Sequence, residues 1–406
     1  MIVLEKFSSI GPWGLSYGDQ QPLHRQIYAS DSVNRPWTPH TSSLEEQLLS
    51  GKLDGQIPKD VLSNSDEQNS RLQNGPLETR YAHHLLSLRL CRLGGSDELD
   101  NHNLICAVEP QGSLVGYRNG LRLGYDFECG FNESNFISNL GNIFDDTHPM
   151  VSLLNMPNQM ISNLAISFKI GGETVNCAGR NSSFEALELA MNLVKSNKQQ
   201  RILLLGAFCY RVSIILNCRV LFDLSNLKSR RKDTVSLSEW VGLTAVSFAK
   251  QPKKGSLAVR ALSSSRLHPE ESIYDNLMKS LNDLLSRERV SFEEIEIIIA
   301  NDISTGLLVN SVNKLRAFNS SLKIVDLYQS VGNSFHCSFL QSLELAQMIF
   351  EVGKVPGRLR KDYRSSMYFD GVQVDESDFK GRFILVIEFR YPDLIQLGLV
   401  QGYVPK

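Results

Sequence analysis

Cys177 is the residue whose position first suggests chemistry. It lies in a polar, glycine-rich stretch, GGETVNCAGRNSS (171–183), that leads directly into an amphipathic helical pattern. The positive end of a helix dipole lowers the pKa of a nearby thiol, and the thiolate is the nucleophilic form of cysteine. Two alternatives follow: Cys177 is an active-site nucleophile, or the stretch belonged to a site that has lost its nucleophile.

Other reactive side chains indicate no metal or disulfide site. His83 and His84 are adjacent, so on a helix they point to different sides, and no carboxylate cluster is near. The seven cysteines contain no CxxC pair, which argues against zinc and against a disulfide framework. His336 directly precedes a helical pattern. It is predicted to be a helix-start residue, with a displaced catalytic histidine as the alternative.

Composition excludes several classes of partner. The 406 residues include 42 basic and 44 acidic side chains, a net charge of -2, so no whole-chain field attracts nucleic acid or an anionic membrane. The N-terminal stretch MIVLEKFSSIGPWG does not read as a signal peptide, and no apolar run approaches the ~20 residues of a membrane span. The sequence therefore predicts a cytoplasmic protein that binds neither nucleic acid nor membrane.

Helical and strand patterns alternate along the chain, which is typical of an α/β fold. Ser182 and Glu185 have the spacing of a capping box at a helix start. The polar segment 52–80 predicts an excursion over the surface. Helices are predicted at 82–93, 154–169, 182–197, 273–285 and 339–352, and strands at 2–10, 103–108, 201–207, 295–300 and 383–389.

Two segments repeat one another. SSFEALELAMNLV from Ser182 and CSFLQSLELAQMIF from Cys337 share a Ser-Phe start and the tetrapeptide LELA, whose copies begin at Leu187 and Leu343. This separation is too long for a solenoid repeat and predicts two copies of one α/β unit. We place the first half at residues 1–235, including the excursion at 52–80, and the second at 236–406.

These segments also resemble a known family. HPMVSLLNMPNQMISNLAISFKIGGETV (148–175), with the turn, the helix and RILLLGAFCY after it, resembles the middle of a β-ketoacyl synthase of the thiolase fold. IEIIIANDISTGLLVNSVNKLRAF is similar to the region of the family's first active-site histidine, and VDLYQSVGNSFHCSFLQSLELAQ to that of its lysine and second histidine. The resemblance runs from Ile2 to Phe389. It implies a five-layered αβαβα fold built from two duplicated α/β halves.

The same resemblance implies a site without its catalytic groups. The family uses a cysteine at a helix start to take an acyl chain from an acyl carrier protein, and two histidines for decarboxylation and condensation. Counted along the family's pattern, the cysteine position falls on Arg180 and the histidine positions on Asn301 and Asn333. Arginine stays protonated and asparagine does not titrate. The family's Gly-Phe-Gly-Gly loop corresponds here to SDFKGRF (377–383).

Chain-length factors, the ketosynthase β subunits of type II polyketide synthases and related aryl polyene systems, are a branch of the family that lacks the cysteine. The resemblance to this branch implies a heterodimer with an active ketosynthase α subunit, or a dimer of such heterodimers. It implies no cofactor except the phosphopantetheine that the acyl carrier protein carries. The candidate wall residues of the chain tunnel, each with a plain core role as the alternative, are Met150, Val151, Leu153, Leu154 and Met156.

Three alternatives stay open. The chain could be a divergent condensing enzyme or acyltransferase that uses Cys177 as its nucleophile. It could be a decarboxylase that makes acetyl carrier protein, although Asn301 and Asn333 weaken this hypothesis. The basic run NLKSRRKD, with Lys228, Arg230, Arg231 and Lys232, is predicted to be a solvated loop, and its alternative role is docking of the acidic carrier protein.

Overall fold

The structure is a computed structural model. It describes residues 1–11, 14–16, 57, 77–93, 102–108, 158–179, 181–198, 200–209, 238–250, 253–267, 271–302, 307–327, 332–355, 377–379, 381–390 and 393–402. The strands are β1 (Ile2–Leu4), β2 (Ser8–Gly11), β3 (Gly14–Ser16), β4 (Asn103–Val108), β5 (Thr174–Ala178), β6 (Ile202–Phe208), β7 (Trp240–Phe248), β8 (Leu257–Arg266), β9 (Ile295–Asp302), β10 (Lys323–Asp326), β11 (Lys354–Val355), β12 (Ser377–Asp378), β13 (Phe383–Arg390) and β14 (Leu394–Gly402). The α-helices are α1 (Leu77–Leu93), α2 (Gln159–Phe168), α3 (Ser182–Ser196), α4 (Ile273–Glu288), α5 (Leu307–Leu315) and α6 (Ser338–Val352).

The strand order shows a duplication. One set runs β5-β4-β6-β7-β1 and the other β10-β9-β13-β14-β8, so both place their strands in the same relative order. In each set three strands are parallel, and the next two alternate in direction. β1 pairs with β8 in antiparallel orientation and joins the two sets. The helices α1, α2 and α3 occupy the same places between strands of the first set as α4, α5 and α6 in the second.

Three hydrophobic clusters separate five layers. One cluster joins the first strand set to α1 and α2, another joins the second set to α4 and α5, and the third lies between the sets around α3 and α6. On β4, Leu104 and Cys106 face the outer cluster, while Ile105 and Ala107 face the central one. A strand covered on both faces is apolar at every position. The predicted αβαβα thiolase fold is therefore confirmed.

Helix α6 is buried on all sides because it lies in the central layer. Every residue from Ser338 to Ile349 is buried, so its polar side chains need partners inside the protein. Gln347 accepts a hydrogen bond from the Phe7 amide at 2.9 Å. Glu344 accepts bonds from the Ser9 hydroxyl at 2.5 Å and from the Trp240 indole at 2.7 Å. These bonds tie a helix of the second repeat to residues of the first.

Three local features differ from the sequence prediction. The N-cap of α3 is Asn181, without a side-chain cap bond; Ser182 already belongs to the first helical turn, so the predicted capping box is absent from this helix start. α1 begins at Leu77, within the excursion predicted at 52–80. The pattern at 2–10 forms two strands, β1 and β2, rather than one.

The position of β7 differs from the predicted division of the chain. The sequence placed the boundary at 235/236, but β7 pairs with β6 and β1 and completes the first strand set. By strand order, the repeat changes between residues 248 and 257. The LELA copies report the spacing of the repeat but not its ends. Within the described part of the chain, no helix has both the length and the apolar character that a membrane crossing requires.

Candidate functional site

The structure brings Asn301 and Asn333 together. Asn301 lies on β9, and Asn333 precedes the 3-10 turn Phe335–Cys337 that leads into α6. Both side chains are completely buried. The Asn333 amide nitrogen Nδ2 donates to Asn301 Oδ1 at 2.5 Å, so the two positions that the family resemblance assigns to histidines are in direct contact.

The asparagine pair belongs to a series of hydrogen bonds in which each residue donates to the next. The Phe335 amide donates to Asn333 Oδ1 at 2.6 Å, Asn333 donates to Asn301, and Asn301 Nδ2 donates to Glu388 Oε1. The series therefore ends on a carboxylate. Because neither asparagine amide titrates, these hydrogen bonds hold their protons in place and do not relay them.

Arg390 and Ser338 complete the surroundings of Glu388. The guanidinium of Arg390 forms an ion pair with Glu388 at 3.0 Å, and both side chains are at most 5% exposed. Ser338 Oγ lies within hydrogen-bond distance of Glu388 Oε1 and of Arg390 Nη2. Burial raises the pKa of Glu388, while Arg390 and the hydrogen bonds from Ser338 and Asn301 act in the opposite direction.

The strand register explains why this carboxylate meets Asn301. β13 lies parallel to β9 with Glu388 opposite Asn301. Residues two apart on a strand share a face, so Glu388 and Arg390 both reach the site. Sequence reasoning missed them. The available signal was the presence of two charged residues, two positions apart, at the end of the apolar run FILVIEFR.

The environment of Cys177 differs from the one predicted. Cys177 lies within β5, opposite Ala107 of β4, and α3 begins five residues later. Burial raises the pKa of its thiol to about 11, and the negative charge of Glu185 adds to this effect. The predicted lowering of the pKa by the helix dipole is therefore wrong for this residue, and the thiolate is disfavoured at neutral pH.

The histidines have structural contacts. His336 is 1% exposed, and its Nε2 lies 3.0 Å from the carbonyl oxygen of Ala207 on β6, which requires that Nε2 carries the proton and donates it. The His83 ring lies 4.6 Å from the Phe168 ring, between α1 and α2. In the part of the chain that the structure describes, no three side chains of metal-binding type are grouped together.

Several predicted site residues lie outside the described residues: Arg180, Met150, Val151, Leu153, Leu154, Met156 and the basic run at 228–232. Their roles stay predictions. Next to Arg180, Gly179 has a φ of 141°, in a region that glycine adopts readily and other residues rarely do. The chain therefore turns sharply between β5 and α3.

Solved structures identify the fold. The ishigamide ketosynthase/chain length factor matches with a TM-score of 0.70, 14% identity and coverage of 99% of both chains. The chain has the ketosynthase fold. A β-ketoacyl synthase from Burkholderia phymatum STM815 gives a TM-score of 0.72 at 12% identity, again over 99% of both chains. The oxazolomycin ketosynthase domain OzmH KS7 of Streptomyces albus JA3453 gives 0.67 at 12% identity, over 100% of this chain and 75% of that one.

The sequence itself matches no protein-family model and no curated protein at a significant level. With identities of 12–14%, the similarity lies in the course of the backbone and not in the sequence. Within this ketosynthase fold, the buried site joins both repeats. Asn301, Asn333 and Glu388 come from the second repeat. The first repeat contributes the Ala207 carbonyl, which His336 contacts, and the Ser238 amide, which donates to the Asn333 carbonyl at 3.0 Å.

Proposed function

We propose that this chain is a non-catalytic ketosynthase-like subunit, a chain-length factor. It pairs with an active ketosynthase, shapes the tunnel for a polyketide carried by an acyl carrier protein, and limits the number of malonyl extensions. The observation that carries the proposal is the buried Asn301–Asn333 pair, whose hydrogen bonds are directed to Glu388 and to the protein backbone.

The chemistry of the site argues against a condensing reaction on this chain. Condensation needs a nucleophile that accepts the acyl chain and groups that stabilise the developing negative charge. The thiol of Cys177 is held in its neutral form by burial. The side-chain amides of Asn301 and Asn333 donate to Glu388 and to Asn301, so these hydrogen bonds are directed to protein groups rather than to an enolate or oxyanion. These features favour the chain-length factor over the acyltransferase and the decarboxylase.

The edge of the first strand set supports a partner subunit. Among the described strands, β5 pairs only with β4, and Thr174 and Ala178 at its ends are exposed. An open strand edge is a template for pairing with another chain. Ile166 on α2, which packs against β5, is 60% exposed. An apolar side chain beside an open edge fits a subunit interface.

The wall of the tunnel is formed, in this proposal, by residues that precede α2. Met150, Val151, Leu153, Leu154 and Met156 precede α2 along the chain, and α2 lies beside the open edge of β5. Unbranched methionine side chains adapt to the shape of a cavity. In this proposal the phosphopantetheine arm arrives with the carrier protein, and the chain needs no cofactor of its own.

The test is co-expression with an active ketosynthase from the same source, followed by affinity purification. Wild type is expected to co-purify with the ketosynthase. Ile166→Lys is expected to weaken the complex roughly tenfold or more, because burying an isoleucine contributes about 1.5–3 kcal/mol. Phe318→Lys is the matched control, since Phe318 is also exposed, at 57%, but follows α5 in the other repeat. Failure of wild type to form a complex would refute the proposed partnership.

A further inference from the structure

Phe335 has an unusual backbone conformation. Its φ is 51°, in the left-handed region that L-residues adopt only with steric strain. The other described non-glycine residues with positive φ are Lys169 and Arg289, and both are C-caps of helices, where this conformation is common. Phe335 instead begins the 3-10 turn ahead of α6. Such strain persists only where the surroundings fix it.

Buried side chains hold the backbone of Phe335 on both sides. Its amide donates to Asn333 Oδ1 at 2.6 Å. Its carbonyl oxygen accepts a bond from Arg390 Nη2 at 2.6 Å and lies 2.6 Å from Ser338 Oγ. These three side chains belong to the network around Glu388. The network therefore holds the backbone of Phe335 in its strained conformation, and we call these contacts the clamp.

The clamp determines where the Phe335 ring lies. The ring centroid is 6.2 Å from that of Phe208, at the end of β6, and 6.3 Å from that of His336. All three side chains are at most 8% exposed. They fill the interior beside Asn333, where the family resemblance places the second catalytic histidine. The aromatic cluster therefore occupies the space next to this position.

We propose that Phe335 is an internal plug, clamped by Asn333 and Arg390, that closes the ketosynthase-like pocket of this chain to acyl groups. The inference rests on the proposed function, because a closed pocket here leaves the partner's tunnel as the place where the polyketide grows. The plug thereby adds a specificity-determining residue that acts by exclusion and takes no part in bond formation.

Binding of a small acyl thioester tests the plug. The probe is octanoyl-N-acetylcysteamine, titrated calorimetrically into the purified full chain. Wild type is expected to bind weakly, and Phe335→Ala roughly 50-fold more tightly, the effect of about three buried methylenes. Phe389→Ala is the matched control, because Phe389 is fully buried but belongs to the outer cluster of the second repeat. Equal affinities for wild type and a folded Phe335→Ala variant would overturn the proposal.

A second pair of variants tests the clamp. Phe335→Gly removes the ring and the steric strain together, whereas Phe335→Ala removes the ring and keeps the strain. The glycine variant is expected to bind the probe as the alanine variant does, with a melting temperature about 1–3 °C higher. A glycine variant that melts below the alanine variant would contradict the left-handed clamp. Because the probe is measured without a partner, failure of this inference is distinguishable from failure of the heterodimer.

Discussion

Replacing Glu344 by glutamine is expected to change how stability depends on pH. Glu344 lies on the central helix α6 and is 5% exposed. Burial raises its pKa from 4.5 to about 7, against the opposing effect of the hydrogen bonds from Ser9 and Trp240. The native state therefore keeps a proton in a pH range where the unfolded chain has released it.

The sign and size of the effect follow from this difference. The contribution is fully present below pH 4.5 and is lost as the pH rises to about 7. Each pH unit between the two pKa values corresponds to about 1.4 kcal/mol, so wild type loses about 3 kcal/mol across this range. Glutamine does not titrate. Its oxygen can accept the Trp240 bond and its amide can donate to Ser9 Oγ, so both hydrogen-bond partners are kept.

Urea unfolding at pH 5, 6, 7 and 8 measures the difference. Glu344→Gln is expected to match wild type near pH 5 and to exceed its free energy of unfolding by about 3 kcal/mol at pH 8. Glu388 also titrates, but it is present in both proteins, so its effect cancels in the difference. Glu188→Gln, an exposed position on α3, is the control and should follow wild type at every pH. A Glu344→Gln variant that is less stable than wild type at pH 8 would refute the reasoning.

Two further experiments test the site. Because burial raises the pKa of the Cys177 thiol to about 11, its alkylation rate should keep rising between pH 8.5 and 10, where the rate of an ordinary thiol levels off. Peptide mass spectrometry measures the rate. A plateau by pH 9 would contradict the assigned environment. Arg390→Met leaves Glu388 buried without its counterion and should cost about 3–5 kcal/mol of unfolding free energy. Adding Glu388→Gln should recover much of this loss, and a double variant as unstable as the single one would show that the charge is not the cause.

Local patterns were sufficient to predict most of the central elements. The apolar spacing in α4 predicted an inward face of Ile273, Leu277, Leu281, Leu284 and Leu285; the four leucines are buried and Ile273 is only partly buried. The continuous apolar runs correctly predicted β6, β9 and β13 as strands, and β6 as a strand covered on both faces. The predicted ends were less accurate, as Asn181 shows at the start of α3, because competing cap residues differ by only about 1 kcal/mol.

The site itself depends on contacts that no local pattern reports. Glu388 and Asn301 are 87 residues apart in sequence and meet only because β13 lies beside β9. The pKa of the Cys177 thiol was predicted wrongly for a related reason. Its position before a helix is visible in the sequence, but the burial that raises its pKa comes from packing against the central cluster. The family resemblance assigned Asn301 and Asn333 to two positions of one site, and their direct contact is visible only in the structure.

Malonyl-dependent chain extension by defined pairs of subunits tests the central claim most directly. This chain is purified and combined either with an intact ketosynthase or with the same ketosynthase lacking its active-site cysteine, and the products are analysed by mass spectrometry. The proposed function predicts extended products with the intact partner only, and none from this chain alone. Extension by this chain alone or with the cysteine-less partner would contradict it.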